Sequence, residues 1–221
     1  MNIKKKRTFV RKFKYKEMRT SSKDYLYQAI FKLFLSKHYE LVTIKDIELA
    51  TGMTRGAVFY YAKNKAELFC EIVENYFFKA QDIDDKLNSI QKSANSFLEF
   101  IHLYVQAIDT RMKLLQKMLN MERNEASRAY LAFILQAQTY YPNFNEKITA
   151  INDKELATWI NMLSLAKKTN EIKSNIDIDV VARFFRYFYI GQCYQSSLST
   201  TGMNIAELEF YFMTIYSMIK N

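Results

Sequence analysis

Glycine and proline are scarce in this sequence: its 221 residues include four Gly and one Pro. Sheets joined by tight turns use both residues freely, so the shortage disfavours a β-rich fold and favours long helices with few breaks. Apolar residues make up 49% and charged residues 25% of the chain, which excludes intrinsic disorder for most of it. The composition therefore predicts an all-α protein that can bury a substantial core.

Cysteine and histidine are equally rare, with two of each. Cys70 and Cys193 indicate neither a disulfide framework nor a metal motif, and two histidines support no Ser/His/Asp or Cys/His catalytic arrangement. Glu99 and His102 have the Glu-x-x-His spacing of di-iron bundles, which need that motif twice. An Asp-rich segment at 84–88 is similar to the magnesium motif of isoprenoid synthases but lacks its last acid and a second acidic motif. We therefore expect no metal, no cofactor and no enzymatic activity.

Long hydrophobic runs are also missing. No stretch reaches the roughly 18 apolar residues of a membrane span, and no apolar segment follows the charged N-terminus as it would in a secretory signal. We therefore expect a cytoplasmic protein without stable membrane insertion.

The positive charge lies almost entirely near the N-terminus. Residues 1–20 contain nine Lys or Arg and one Glu, so they carry +8 of the net charge of +9. A basic arm on a nearly neutral body indicates a polyanionic partner, either nucleic acid or an anionic membrane surface; a solvated tail is the alternative. Aromatic residues alternate with these charges, which suits an extension along DNA phosphates or into a minor groove and equally a helix packed on the body.

Capping side chains mark where helices begin. A Ser, Thr or Asn followed three residues later by Asp or Glu satisfies a free backbone N–H and places negative charge at the positive helix end. This pattern occurs at Ser21, Thr43, Asn64, Asn143, Asn152 and Asn204. The pattern and the apolar spacing predict helices at 22–37, 44–50, 54–61, 64–85, 97–120, 123–141, 152–169, 178–199 and 204–219. The first three, with a turn at 51–53, describe a helix-turn-helix unit.

The segment 43–69 has the features of a DNA-binding helix-turn-helix. Gly52 stands in the turn, where a positive φ or close packing is needed, and Gly56 allows the backbone to approach another surface. In such units the leading residues of the second helix meet base edges in the major groove, while helix starts bind phosphates; a unit used for packing alone is the alternative. The candidate DNA-binding residues are Thr54, Arg55, Gly56, Ala57, Phe59, Tyr60 and Tyr61, with Thr43, Lys45 and Lys65 as phosphate contacts.

This segment resembles the N-terminal domain of the TetR family of bacterial transcriptional regulators. The order and spacing are intact over AIFKLF at 29–34, Tyr39, TIKDI at 43–47, Gly52, TRG at 54–56, FYY at 59–61, and NK at 64–65 with Leu68. The sequence departs from the family's usual residues at His38, Glu48, Phe59 and Ala62. The resemblance implies an all-helical homodimer that binds operator DNA, with a C-terminal ligand pocket through which a small molecule switches DNA binding.

We therefore predict an N-terminal helix-turn-helix DNA-binding domain and a C-terminal helical domain for ligand binding and dimerisation. The predicted boundaries are 1–20 for the basic arm, 21–68 for the DNA-binding domain and 69–221 for the second domain. The predicted function is transcriptional regulation, with repression the commoner behaviour in the family. The alternatives are a membrane-surface or other polyanion-binding protein and, more remotely, an all-helical enzyme. A ligand is expected to move the helix at 64–85 and so change the separation of the two recognition helices.

Aromatic and Met side chains in the second domain suit an adaptable pocket for a small apolar or amphipathic ligand, although core packing is the alternative for each. The candidate ligand residues are Phe97, Phe100, His102, Tyr104, Met118, Tyr130 and Phe133.

The helix at 178–199 is apolar on more than one face and therefore needs two apolar neighbours. A partner subunit is the simplest second neighbour, with the helix at 152–169 completing a four-helix contact; a helix buried within one chain is the alternative. The predicted interface residues are Leu156, Trp159, Ile160, Leu163, Val181, Phe184, Phe185, Phe188 and Tyr189.

Overall fold

The computed structural model describes residues 22–79 and 90–221, so the basic arm, the Ser21 cap and the Asp-rich segment lie outside the described residues. The described part confirms the predicted all-α fold. Its helices are α1 Ser22–Ser36, α2 Ile44–Thr51, α3 Arg55–Phe59, α4 Lys65–Val73, α5 Phe97–Leu119, α6 Arg123–Tyr140, α7 Phe144–Lys168, α8 Ile178–Leu198 and α9 Ile205–Ile219. A 3₁₀ turn, Tyr39–Leu41, precedes α2, and a π-helical turn, Glu74–Phe78, directly follows α4.

Side-chain caps begin several helices where the sequence predicts them. The Thr43 hydroxyl accepts the Asp46 N–H at 3.2 Å and the Asp46 carboxylate accepts the Thr43 N–H at 2.7 Å, which completes a capping box for α2. Asn64 accepts the Glu67 N–H at 2.9 Å, and Asn204 caps α9 in the same way. These helix starts therefore depend on residues that are neighbours in sequence.

Helix α7 begins earlier than the sequence predicts. Asn152 lies inside this unbroken helix, so the predicted start there is wrong. Asn143 precedes the helix with a φ of +57° and makes no side-chain cap. The Asn152 amide and the Glu155 carboxylate instead accept hydrogen bonds from Arg186 on α8, at 3.1 and 3.2 Å. A pattern typical of a cap thus belongs to a contact between two helices.

The chain divides into two compact units, of which the first ends at Leu68 and the second begins at Phe69. The first unit contains α1, α2, α3 and the beginning of α4. Its small core is made by one face of α1 together with one side chain each from α2 and α3. The residues of this core with no more than 1% exposed surface include Leu26, Ile30, Phe31, Phe34, Ile47 and Val58.

The core of the second unit surrounds Trp159 on α7, which is fully buried. Its ring stacks on Phe185 with 4.8 Å between the ring centres and meets Phe100 edge-on at the same distance. Aromatic pairs of this geometry contribute about 0.5–1.5 kcal/mol each beyond the burial of their area. Three more rings complete the cluster around the indole: Phe97, Tyr104 and Phe212. The cluster joins α5, α7, α8 and α9.

The loop between α7 and α8 supplies a distant cap for α5. The two carboxylate oxygens of Glu171 accept the N–H groups of Phe97 and Leu98 at 2.8 and 2.9 Å, across up to 74 residues of sequence. The same carboxylate accepts the Tyr216 hydroxyl of α9 at 3.2 Å. A negative group at a helix N-terminus is favourable, so one side chain holds the start of α5 and the last helix together.

Replacing Phe185 by Ala removes a buried ring from the stack on Trp159. We expect the free energy of unfolding to fall by about 3–5 kcal/mol, because a cavity replaces the ring; urea denaturation followed by circular dichroism measures it. Leu114, which is 62% exposed, provides the control, since Leu114→Ala should change this free energy by no more than about 0.5 kcal/mol. Equal losses in the two variants would contradict the placement of Phe185 in the core.

Candidate DNA interface, interior polar groups and exposed helix face

A tight turn sets the direction in which the chain leaves α2. Gly52 has a φ of +66°, a left-handed conformation that glycine adopts without steric cost, and its N–H donates to the Glu48 carbonyl at 2.8 Å. The buried Thr51 hydroxyl donates to the Ile47 carbonyl at 2.7 Å and accepts the Met53 N–H at 3.2 Å. The turn is therefore held by both backbone and side-chain bonds.

Helix α3 has five residues and is held from two sides. The Thr54 hydroxyl caps it by accepting the Ala57 N–H at 3.4 Å, and Val58 is fully buried in the small core. This anchoring turns the opposite edge outward. The exposed residues of that edge are Thr54, Arg55, Gly56 and Ala57.

Gly56 is not required by the packing of the unit. A Cβ built on this residue would meet no atom within 4 Å, and its backbone has no positive φ. The fold therefore leaves room for a side chain at this exposed position. The absence of one allows an external surface to come close to the backbone of α3.

Three consecutive aromatic residues lie at the end of α3. Tyr60 is 83% exposed, whereas Phe59 and Tyr61 are half-buried. The Arg55 guanidinium lies over the Phe59 ring, 5.7 Å from its centre, and the Tyr60 ring meets the Tyr61 ring edge-on at 5.2 Å. Such contacts restrict the exposed side chains, so a cation and a phenol are presented together on one surface.

Lys65 bonds within its own unit, unlike the exposed Thr43 and Lys45. Its ammonium donates to the carbonyls of Tyr39 and Val42 at 3.0 and 3.1 Å and lies 4.3 Å from the centre of the Tyr39 ring. These bonds use two of its three N–H donors. Lys65 therefore ties the 3₁₀ turn to the start of α4.

Asp46 connects the capping box of α2 to the end of α1. One carboxylate oxygen accepts the Lys37 ammonium at 2.8 Å together with the hydroxyl and the N–H of Thr43, both at 2.7 Å. The Lys37 bond, followed by the two bonds from Thr43, holds the pKa of the Asp46 carboxyl well below its usual range. Asp46 is therefore ionised at neutral pH.

The predicted ligand-binding residues do not line a single space. Phe97, Phe100 and Phe133 have no more than 1% exposed surface; the first two belong to the Trp159 cluster, and Phe133 packs against Phe69. These three therefore serve the core, which corrects their assignment. His102 lies on the surface, where its ring nitrogen is 2.9 Å from a Glu209 carboxylate oxygen. Met118 is half-buried.

Tyr104 belongs to a polar network in the interior of the second unit. Its hydroxyl donates to Glu155 at 2.5 Å, and Glu155 also accepts from the buried Arg186. Burial, together with the charge of Glu155, raises the pKa of Tyr104 well above its usual value. The sequence analysis missed this network. An arginine in the apolar run FFRYF of α8 is the signal that could have found it, since a buried charge needs a partner.

A second group of polar side chains surrounds Tyr130. The Arg111 guanidinium donates to the Tyr130 hydroxyl at 2.6 Å, and that hydroxyl donates to the Tyr76 carbonyl at 3.4 Å. Burial raises the pKa of the Cys193 thiol to about 11 and the pKa of Tyr189 well above its usual value. Both residues are nevertheless only half-buried, so their accessible surface faces the interior of the unit rather than bulk water.

The predicted dimer-interface residues divide between core and surface. Trp159, Leu163 and Phe185 are fully buried, and Val181 is 8% exposed, so these four lie inside the chain and cannot meet a partner. Phe184 is 56% exposed. The remaining four are half-buried and pack against the core cluster: Leu156, Ile160, Phe188 and Tyr189.

Helix α8 has a second apolar face that is exposed. Its residues recur at helical spacing: Val180, Phe184, Tyr187, Ile190, Tyr194 and Leu198, each between 43% and 65% exposed. Helix α9 exposes Phe210, Tyr211 and Met218. Sequence reasoning predicted two apolar faces on α8 but assigned the inner one to the partner. Apolar character alone does not distinguish the two faces.

Within residues 22–79 and 90–221, no group of three His, Cys, Asp or Glu side chains is arranged to hold a metal ion. None of the helices described there is both long and apolar enough to cross a membrane.

Sequence comparison points to one family for the N-terminal unit. Residues 26–72 match the model of the family described as bacterial regulatory proteins, tetR family. The uncharacterized HTH-type transcriptional regulator YfiR of Bacillus subtilis (strain 168) is 30% identical over 79 residues, which is 36% of this chain and 36% of that protein. The aligned segment thus spans about a third of this curated relative.

Solved structures extend the likeness to most of the chain. The ketosteroid transcriptional regulator KstR2 of Mycobacterium tuberculosis has a TM-score of 0.63 at 16% identity, covering 91% of this chain and 96% of that one. The SmeT–triclosan complex has a TM-score of 0.65 at 17% identity, covering 90% and 92% of the two chains. At these identities the likeness shows a shared fold.

The low pKa of Asp46 predicts how the stability of the protein depends on pH. Its unfolded value is about 3.9, so its contribution is present above that pH and is lost as the pH falls through the lower folded value. The melting temperature of Asp46→Asn should therefore lie below that of the wild type at neutral pH, and the difference should shrink below about pH 4. Circular dichroism melts measure it, with Asp153→Asn, an exposed acid of α7, as control. A gap that widens in acid would contradict this assignment.

Proposed function

The chain belongs to the TetR family of bacterial regulatory proteins, and from this premise we propose that it is a transcriptional regulator that binds operator DNA as a homodimer. A small apolar or amphipathic ligand in the second unit switches that binding, with repression as the expected sign. The observation that carries the proposal is the exposed leading edge of α3, held by the Gly52 turn on one side and by buried Val58 on the other.

The exposed edge has the chemistry that duplex DNA requires. The planar fork of Arg55 can donate two bonds to the O6 and N7 atoms of guanine, the commonest specific contact in a major groove. Gly56 and Ala57 beside it are small and exposed, so the backbone can approach the bases. Thr43 and Lys45, at the start of α2, are exposed and suited to bind a phosphate.

The exposed face of α8 favours a second copy of this chain as its partner. Large apolar side chains recur along it from Val180 to Leu198, and contiguous apolar surface of this kind marks an interaction site. A two-fold axis would pair the same face of both copies. Two recognition helices placed about 34–36 Å apart could then read successive half-sites of an operator.

The interior polar groups favour an effector in the second unit. Arg111, Tyr130 and Tyr189 supply hydrogen-bonding atoms beside the apolar core, and pockets for small molecules combine apolar walls with a few such groups. The SmeT structure, which shares this fold, was solved as a complex with triclosan. Both observations support an amphipathic ligand in the same half of this chain.

Substitutions on α3 test DNA binding directly. A specific fragment is first selected from genomic DNA of the source organism, and its affinity for each variant is measured by gel shift at fixed salt. Arg55→Ala should cost about 1–3 kcal/mol of binding free energy through a lost base contact, and Tyr60→Ala should weaken binding in the same direction. Lys113→Ala removes a charge from the second unit and should bind as the wild type does. Unchanged specific binding by the Arg55 and Tyr60 variants would refute the assignment of α3 to the bases.

A charge placed on the exposed face of α8 tests the dimer. The double variant Phe184→Asp, Tyr194→Asp should sediment as a monomer at micromolar concentration while keeping its helical content, because both positions are exposed in the single chain and a paired apolar interface excludes unpartnered charge. Leu114→Asp, an exposed apolar position on α5, should remain a dimer. A dimeric double variant would place the interface on another surface.

A further inference from the structure

The helix that begins at Lys65 changes its hydrogen-bonding register after Val73. In the π-helical turn Glu74–Phe78 the Lys79 N–H donates to the Glu74 carbonyl, five residues back instead of four. Such turns are rare and usually occur as single insertions in an α-helix. The widened turn is therefore one residue out of register with α-helical bonding.

Side chains bond the backbone on both sides of this turn. The Asn75 amide donates to the Glu71 carbonyl at 2.6 Å, and the Tyr130 hydroxyl donates to the Tyr76 carbonyl at 3.4 Å. Both carbonyls thus receive side-chain donors, which support a backbone geometry that α-helical bonds do not.

Contacts from α6 and α7 hold the turn in place. The Glu74 carboxylate accepts the Tyr141 hydroxyl and the Lys147 ammonium, both at 2.7 Å. Phe77 and Phe78 are buried and lie 5.5 and 5.4 Å from the Phe144 ring. The π register is therefore maintained by tertiary contacts, and a change in those contacts can alter it.

Tyr130 connects the turn to the interior polar groups. It donates to the turn and accepts from Arg111, whose guanidinium also lies over the Tyr130 ring at 5.5 Å. A ligand that competes for the Tyr130 hydroxyl would remove a bond that favours the π register. Its effect on the equilibrium would then equal its difference in affinity for the two registers.

We propose that the Glu74–Phe78 turn is a register switch between π- and α-helical bonding, controlled by a ligand whose hydrogen-bond acceptor takes the Tyr130 hydroxyl from the Tyr76 carbonyl. This inference rests on the proposed function, because its output is DNA binding. Loss of one inserted residue from the turn corresponds to about 1.5 Å along the helix axis and about 100° of rotation. That movement is applied to α4, which contains both Leu68 and Phe69.

Deletion of Asn75 tests the switch without a ligand, because the shortened turn can adopt only the α register. The full-length deletion variant should remain helical and dimeric, and its affinity for the selected operator fragment should differ from wild type by fivefold or more, the usual range of allosteric coupling. Deletion of Asn175, exposed in the loop between α7 and α8, controls for chain shortening and should leave affinity unchanged. Wild-type affinity in the Asn75 deletion would overturn the proposal.

Hydrogen exchange provides a measurement that needs no DNA and that remains available if the deletion variant fails to fold. In Tyr130→Phe the amides of residues 71–79 should exchange at least fivefold faster than in the wild type, whereas Tyr216→Phe, which loses a hydroxyl bonded to Glu171, should leave them unchanged. Unchanged exchange in Tyr130→Phe would refute the role of its hydroxyl. If the wild-type protein selects no specific DNA fragment, the proposed function fails, while the exchange result still decides whether Tyr130 holds the turn.

Discussion

The recognition surface depends on a helix too short to exist alone. A helix of five residues has no stability of its own in water, because the first turn costs more conformational entropy than its hydrogen bonds return. Helix α3 persists since Val58 is buried in the small core, the Thr54 hydroxyl caps its start, and the left-handed Gly52 fixes its entry. The exposed edge that follows from this anchoring is the part that duplex DNA would meet.

Local features were the most predictable from the sequence. The capping box of Thr43 and Asp46 requires residues that are neighbours in the chain, so their order alone predicts it, and the same holds for the turn at Gly52. The all-α class followed from the shortage of glycine and proline. The spacing around α3 carried the family resemblance, which the match over residues 26–72 supports.

Features that depend on distant partners were not predictable in this way. Asn152 and Glu155 have the spacing of a cap, but Arg186 from another helix bonds both and the helix continues through them. In α8 two apolar faces share one sequence, and only the packing of Phe185 on Trp159 distinguishes the inner face from the exposed one. Aromatic residues assigned to a pocket turned out to fill the core, because the same side chains suit both roles.

The carboxylate of Glu171 has a consequence for how the protein is made. It caps the start of α5, which is synthesised 74 residues before it, and it also bonds Tyr216 near the end of the chain. In the first unit, the Lys65 bonds to the 3₁₀ turn span at most 26 residues. Because contacts between distant residues form late, the N-terminal unit can fold while the ribosome is still translating the chain, whereas the second unit must wait for its last helix to emerge.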